Sequence, residues 1–151
     1  MMADTDPCEI CGEPTATALR SGDRIKYTCP RCQTYFLTGS ARAVIGKLDR
    51  KQRATASGWI FEQNARGVVP IISSEILNSL TTLSPPPLSE RADKMLLSIV
   101  RRQSTYGERF SIHEKWLLAA SYSMDVEEVA YVAKVLETSG YFKFVGIGGI
   151  A

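Results

Sequence analysis

"PCEICGE" (residues 7–13) and "YTCPRCQTYF" (residues 27–36) hold all four cysteines of the chain, as C-x2-C-x17-C-x2-C. Two residues between cysteines let a tight knuckle turn aim both sulfurs at one ion, and two knuckles complete a tetrahedron. Gly12, directly after the first pair, suits the unusual backbone such a turn needs. Between the knuckles "RIKYT", and after them "QTYFLT", have the β-branched and aromatic content of short strands, bounded by "SGD" and "TG" turns. The pattern predicts a zinc ribbon over residues 1–40, with Cys8, Cys11, Cys29 and Cys32 as metal ligands. Four thiolates saturate tetrahedral zinc and leave no position for water or substrate, so the expected role of Zn2+ is structural. A redox role is disfavoured, because no βαβ pattern surrounds either C-x2-C pair. So short a segment buries little apolar surface, and the metal is expected to supply much of its folding free energy. Loss of Cys29 is then expected to unfold residues 8–37 and spare the carboxy-terminal helices.

Around this motif, 151 residues with 44% hydrophobic and 23% charged content read as a globular chain of one ordinary domain or two small ones. No apolar run approaches the roughly 18 residues of a membrane span, and "MMADTDP" lacks the basic start and apolar stretch of a secretory signal. The expected compartment is the cytoplasm, where thiols stay reduced and ligate metals. The formal charge of +2 is unevenly spread. Residues 41–66 carry six basic groups (Arg42, Lys47, Arg50, Lys51, Arg53, Arg66) against Asp49 and Glu62, whereas residues 90–151 balance at eight against eight.

From Leu48 to Arg66 the chain reads as a helix capped by Asp49 and stopped by Gly67, with Gly58 an unfavourable residue in its middle. Arg50, Lys51 and Arg53 fall near its amino terminus, where they oppose the macrodipole. They are either a solvated face or a phosphate-contacting patch. "GVVPIISSEILNSL" gives an extended run broken by Pro70, then a short helix opened by Ser73 or Ser74. Residues 41–83 are thus a helical connecting segment. "SPPPLSE" at 84–90 cannot continue a helix and predicts a semi-rigid Pro-rich linker.

In residues 91–151, Ser89 can cap a helix whose Ala92, Met95, Leu96, Ile99 and Val100 recur at buried-face spacing. Ser111 with Glu114, and Asp125 with Glu128, read as capping boxes of two further helices, the second closing on Gly140. "YFKFVGIGG" then reads as a strand. Helix, short strand "RFSI", helix, turn, helix, strand is the order of a winged helix-turn-helix. Its wing is expected to be incomplete, because Ala151 falls where the returning turn should come. Residues 142–151 are accordingly expected to be frayed, swapped or covered, and the chain to be either a fragment or a dimer. The expected fold class is α+β, mainly α.

"CEICG", "CPRCQTYFLTG", "SGWIFEQNARGVVPIISSEIL" and "VLETSGYF" together resemble the amino-terminal region of bacterial proteins that set a zinc ribbon and a winged helix ahead of a TIR-like or nucleoside-deoxyribosyltransferase-like domain. The resemblance covers most of the chain, and the cysteine spacing is its specific motif. It implies that Cys8, Cys11, Cys29 and Cys32 are metal ligands, and a setting in bacterial defence-type effectors. The domain that carries the presumed nucleotide chemistry in that family is not expected within these 151 residues, so the resemblance carries over no catalytic residue.

Two functions follow from the residues. The helix that would enter a groove presents Glu127, Glu128 and Glu137 against Lys134 alone, a poor base-reading element. The expected function is therefore a non-catalytic interaction or regulatory module that meets a protein partner or self-associates through residues 141–151. The alternative is weak, sequence-independent DNA or RNA binding through Arg50, Lys51, Arg53, Arg101 and Arg102. No membrane contact is expected. An enzyme is disfavoured by inventory: His113 is the sole histidine, and no phosphate loop, nucleophile set or open metal site is present.

Overall fold

β3 (Arg24–Cys29) and β4 (Gln33–Thr38) pair antiparallel across the second knuckle, setting Tyr27 opposite Tyr35 and Cys29 opposite Gln33. β2 (Thr17–Ser21) joins β3 through a two-residue turn at Gly22, whose φ of +65 is the left-handed value such a hairpin needs. β1 (Asp4–Thr5) lies on the outer edge. This computed structural model describes residues 4–103, 105, 107–143 and 149–150. Alternation along the strands follows the two-residue period. Ile25, Tyr27, Tyr35 and Leu37 face inward and are buried, while Lys26 lies over the Phe36 ring on the outer face.

The extended run before residue 73 has a use the sequence did not reveal. β5 (Ile71–Ile72) joins the sheet parallel to β4, and Phe36 N–H donates to the Pro70 carbonyl at 2.9 Å. α1 (Gly39–Val44) starts directly from β4, with Thr38 Oγ1 accepting from Ala41 N–H. A single 3-10 turn (Ile45–Lys47) follows, then α2 (Arg50–Ala65). Asp49 and Gln52 form a reciprocal capping box at 2.8 and 3.0 Å, and Gly67 ends the helix at φ +80. α3 (Ser74–Thr81) is capped by Ser73.

The carboxy-terminal elements are α4 (Leu88–Arg102), β6 (Phe110–Ser111), α5 (Lys115–Ala120), α6 (Val126–Thr138) and β7 (Gly149–Ile150). α4 begins after Pro87 with no side-chain cap, so Ser89 lies inside its first turn. The capping box expected at Ser111 does not form. Ser111 is committed to β6, where it pairs with Gly149, and its hydroxyl accepts from His113 N–H. Asp125 does cap α6, but Glu128 turns to Met124 N–H and Arg91. The last strand, expected to be frayed, swapped or covered, pairs antiparallel with β6 through Phe110–Ile150 and Ser111–Gly149. Residues 144–148 and 151 of that strand and wing lie outside the described residues.

One core crosses residue 40. Ile10, Tyr27, Cys32, Tyr35 and Leu37 bury against Ile45, Ala56, Ile60, Ile72, Leu77 and Leu80. The ribbon therefore closes on α1, α2 and α3, and the boundary expected at 40 falls inside a shared interior. A second core holds Met95, Ile99, Leu117, Val129, Val132 and Leu136. α2 joins the two, because Phe61 on its other side buries with Ala119, Ala120 and the flank of Trp116. The Pro-rich run thus crosses between units that α2 already holds together. Gly58 in α2 is required here: a Cβ would stand 2.6 Å from the Tyr122 ring. The described chain is mixed α+β and mainly helical. No helix among the described residues is long and apolar enough to cross a membrane.

Candidate metal centre

The four cysteine sulfurs lie within 4.8 Å of one another, with Cys8–Cys32 at 3.8 Å and Cys11–Cys29 at 3.5 Å. All four are free thiols. Thiolates placed tetrahedrally about 2.3 Å from an ion stand about 3.8 Å apart, so this set is positioned to bind a metal ion. The two knuckles share a backbone form. Gly12 follows the first pair at φ +80 and donates to Cys8 O at 2.7 Å; Gln33 follows the second at φ +78. In the second knuckle, Arg31 and Cys32 N–H groups both point at Cys29 Sγ at 3.4 Å.

Two hydroxyls complete the surroundings. Tyr35 Oη stands 3.0 Å from Cys8 Sγ, and Ser57 Oγ stands 3.0 Å from Cys32 Sγ. Against a thiolate each hydroxyl is the donor, which spreads the charge of a ligand set that is almost fully buried. Without a cation the four sulfurs share protons unequally. Hydrogen bonding from Cys11 holds the Cys8 and Cys29 thiols below their usual range, while Cys11 is raised by its bond to Cys29 and burial pushes Cys32 up. A divalent ion relieves this conflict, because its charge supports thiolate at every position. Burial also pushes Tyr35 well up. Tyr27, stacked on it at 5.3 Å with no partner for its hydroxyl among the described residues, rises to about 12 for the same reason.

The centre is tied to both halves of the chain. Arg53 donates to four carbonyls, those of Glu9, Ile10, Ile45 and Leu48, at 2.8 to 3.2 Å. Arg31 Nη2 donates to Ser123 O at 2.7 Å, reaching the turn between α5 and α6. Lys115 at the start of α5 pairs with Glu13 of the first knuckle at 3.2 Å. Burial would raise the Glu13 carboxyl, but its bonds from Thr15 and Lys115 outweigh that and hold it below the usual range. Arg91 fixes the same turn through Ser121 O and Ser123 Oγ.

The five cations expected on nucleic acid do not form one patch. Arg53 is committed to the carbonyls above. Arg50 is exposed and stands 3.8 Å from the Asp125 carboxylate; Lys51 is exposed nearby. Arg101 and Arg102 lie toward the opposite end of α2, roughly 24 Å along its axis at 1.5 Å per residue, where Arg101 borders a hollow that Arg66 also lines. Arg102 rests on aromatic rings, 4.4 Å from the Trp116 centroid and 5.5 Å from Phe61. The outer face of α6 carries Glu127, Tyr131 and Lys134, the last paired with Glu137. Tyr35, Ser57, Arg31 and Lys115 were missed by sequence reasoning. Only Arg31, inside the C-x2-C knuckle, carried a positional signal. No family model, curated protein or solved structure matches the chain.

Proposed function

We propose that the chain is a non-catalytic, zinc-stabilised interaction and regulatory module, the scaffold or sensor part of a bacterial defence-type effector acting in the cytoplasm. The observation that carries this reading is the largely buried four-sulfur cluster, joined by Arg31 to the α5–α6 turn and by Lys115 to the start of α5. An all-thiolate donor set suits zinc, and a filled tetrahedron leaves no position for substrate. Metal occupancy then sets how firmly α5 and α6, the helix pair of a winged-helix-like unit, are held. Exposed Tyr131 and Tyr141 are the anchors for a protein partner. Self-association through residues 141–151 rests on Tyr141, since β7 already pairs with β6.

Hydrogen exchange on the metal-loaded chain before and after chelation tests this. Amides of residues 121–129 are expected to lose protection together with the knuckles. Loss confined to residues 8–37 contradicts a regulatory connection. A second reading, sequence-independent nucleic-acid binding, is favoured by Arg66, Arg101 and Arg102, whose guanidinium groups have no hydrogen-bonding or ion-pair partner among the described residues. Binding that falls steeply with salt supports it.

A further inference from the structure

Between the ends of α2 and α4 and the second knuckle lies an open cleft of about 410 Å³, lined chiefly by Gln33, Phe61, Asn64, Ser98, Arg101 and Arg102. That volume falls within the ~300–1,000 Å³ of small-ligand sites. Its walls carry two guanidinium groups and no carboxylate.

Arg102 is held in place by its face rather than by its donors. It rests on Trp116 and Phe61, rings that stack 6.4 Å apart with planes at 10°. Stacking occupies the flat surface of a guanidinium and leaves its N–H edge free for an anion. Arg101 borders both this cleft and the adjoining hollow, which Arg66 also lines. Glu62, the one carboxylate among that hollow's lining residues, is ion-paired with Lys94. On the far side Glu114 acts on Arg102 from a hollow that also contains Glu108 and Arg109, so the cationic stretch has a defined end.

Gln33 borders the same cleft. Its φ of +78 is a backbone form that glycine takes without strain, as Gly12 does at the matching place in the first knuckle. The Gln33 side-chain amide donates to Pro30 O at 3.1 Å, which ties it to the second knuckle.

We propose that this cleft binds phosphate groups, with Arg101 and Arg102 donating to the phosphate oxygens and Arg66 adding charge at the rim. Planar guanidinium donors match phosphate geometry in pairs. The backbone of a nucleic-acid strand and a free phosphorylated small molecule share this chemistry. The proposal goes beyond the scaffold reading and does not depend on it.

The test uses the metal-loaded full chain carrying Trp59→Phe, which leaves Trp116 as the remaining one of two tryptophans. Inorganic pyrophosphate and a short oligothymidylate are titrated at low ionic strength while Trp116 emission is followed. Saturable binding is expected, weakened roughly tenfold by Arg101→Gln, the loss of one charge-assisted contact, and unchanged by Arg50→Gln. Tighter binding of oligothymidylate with a steep salt dependence identifies a strand as the source of phosphate and upholds the nucleic-acid reading. Binding of pyrophosphate with oligothymidylate no tighter identifies a small phosphorylated ligand and ends that reading while upholding the cleft. If neither probe binds, or Arg101→Gln changes nothing, the proposal is overturned. Should Trp59→Phe fail to fold, calorimetric titration of the unsubstituted chain makes the same comparison.

Discussion

Gly58 and Tyr122 show how a residue that weakens a helix on paper is required by its neighbour. Tyr122 is a bulky residue at φ +55 in the turn after α5, and its ring lies against α2 where a Cβ would stand 2.6 Å away. Gly58→Ala gains about 1 kcal/mol of helix propensity but drives a methyl group into a buried ring, which costs about 1 to 3 kcal/mol. A net loss of stability in urea unfolding is expected; a gain contradicts the close approach. Arg53 makes the complementary case. Sequence offered it as a phosphate contact, yet its guanidinium satisfies four backbone carbonyls around the first knuckle and the α1–α2 connection. Arg53→Ala is expected to lower stability by about 2 kcal/mol, whereas Lys51→Ala, on an exposed side chain, should change it by less than about 0.5 kcal/mol. Equal midpoints for the two variants in denaturant contradict this assignment.

Helices with local punctuation were legible. Asp49 and Asp125 cap the helices they were expected to cap, and of the two serines offered for α3 it is Ser73 that caps, because an oxygen three residues before a free N–H is a local arrangement. Ser111 failed for a tertiary reason, its pairing in β6. β5 was legible as an extended run but not as a sheet member, since two residues of parallel pairing with β4 depend on the long return of α1 and α2. The four-cysteine cluster was legible because its spacing is local, while Ser57 and Tyr35 reach the sulfurs only through packing. The contact between α5 and the first knuckle gives a pH dependence. Glu13 is held below its usual range, so its contribution is present above the ordinary carboxylate pKa and is lost as pH falls through its own. Glu13→Gln should flatten that acid limb of the stability profile, and an unchanged limb contradicts the Lys115 pair.

On the scale of the whole molecule, the shared core changes what metal loss does. Read as an independent ribbon, residues 8–37 would unfold alone. The structure instead buries Cys8, Cys29 and Cys32 with Ile45, Ile60, Leu77 and Leu80, so loss of the metal exposes one face of α1, α2 and α3 as well. Cys29→Ser is expected to reduce protection across residues 8–80 and in the turn at 121–129 that Arg31 holds, while the interior of the second core, built on Met95, Val132 and Leu136, retains most of its own. Protection lost only within 8–37 contradicts the shared interior. The partner reading is checked at the same scale. Light scattering over a concentration series that shows a growing dimer fraction supports association at residues 141–151, and a monomer throughout contradicts it.

The proposed role of the four sulfurs depends on an ion bound there. Elemental analysis combined with X-ray absorption at the zinc edge, on protein purified without chelator, tests it most directly. The expected result is one zinc per chain with four sulfur neighbours near ~2.3 Å. Metal-free protein, a shell containing nitrogen or oxygen, or a disulfide between Cys8 and Cys11 contradicts the account.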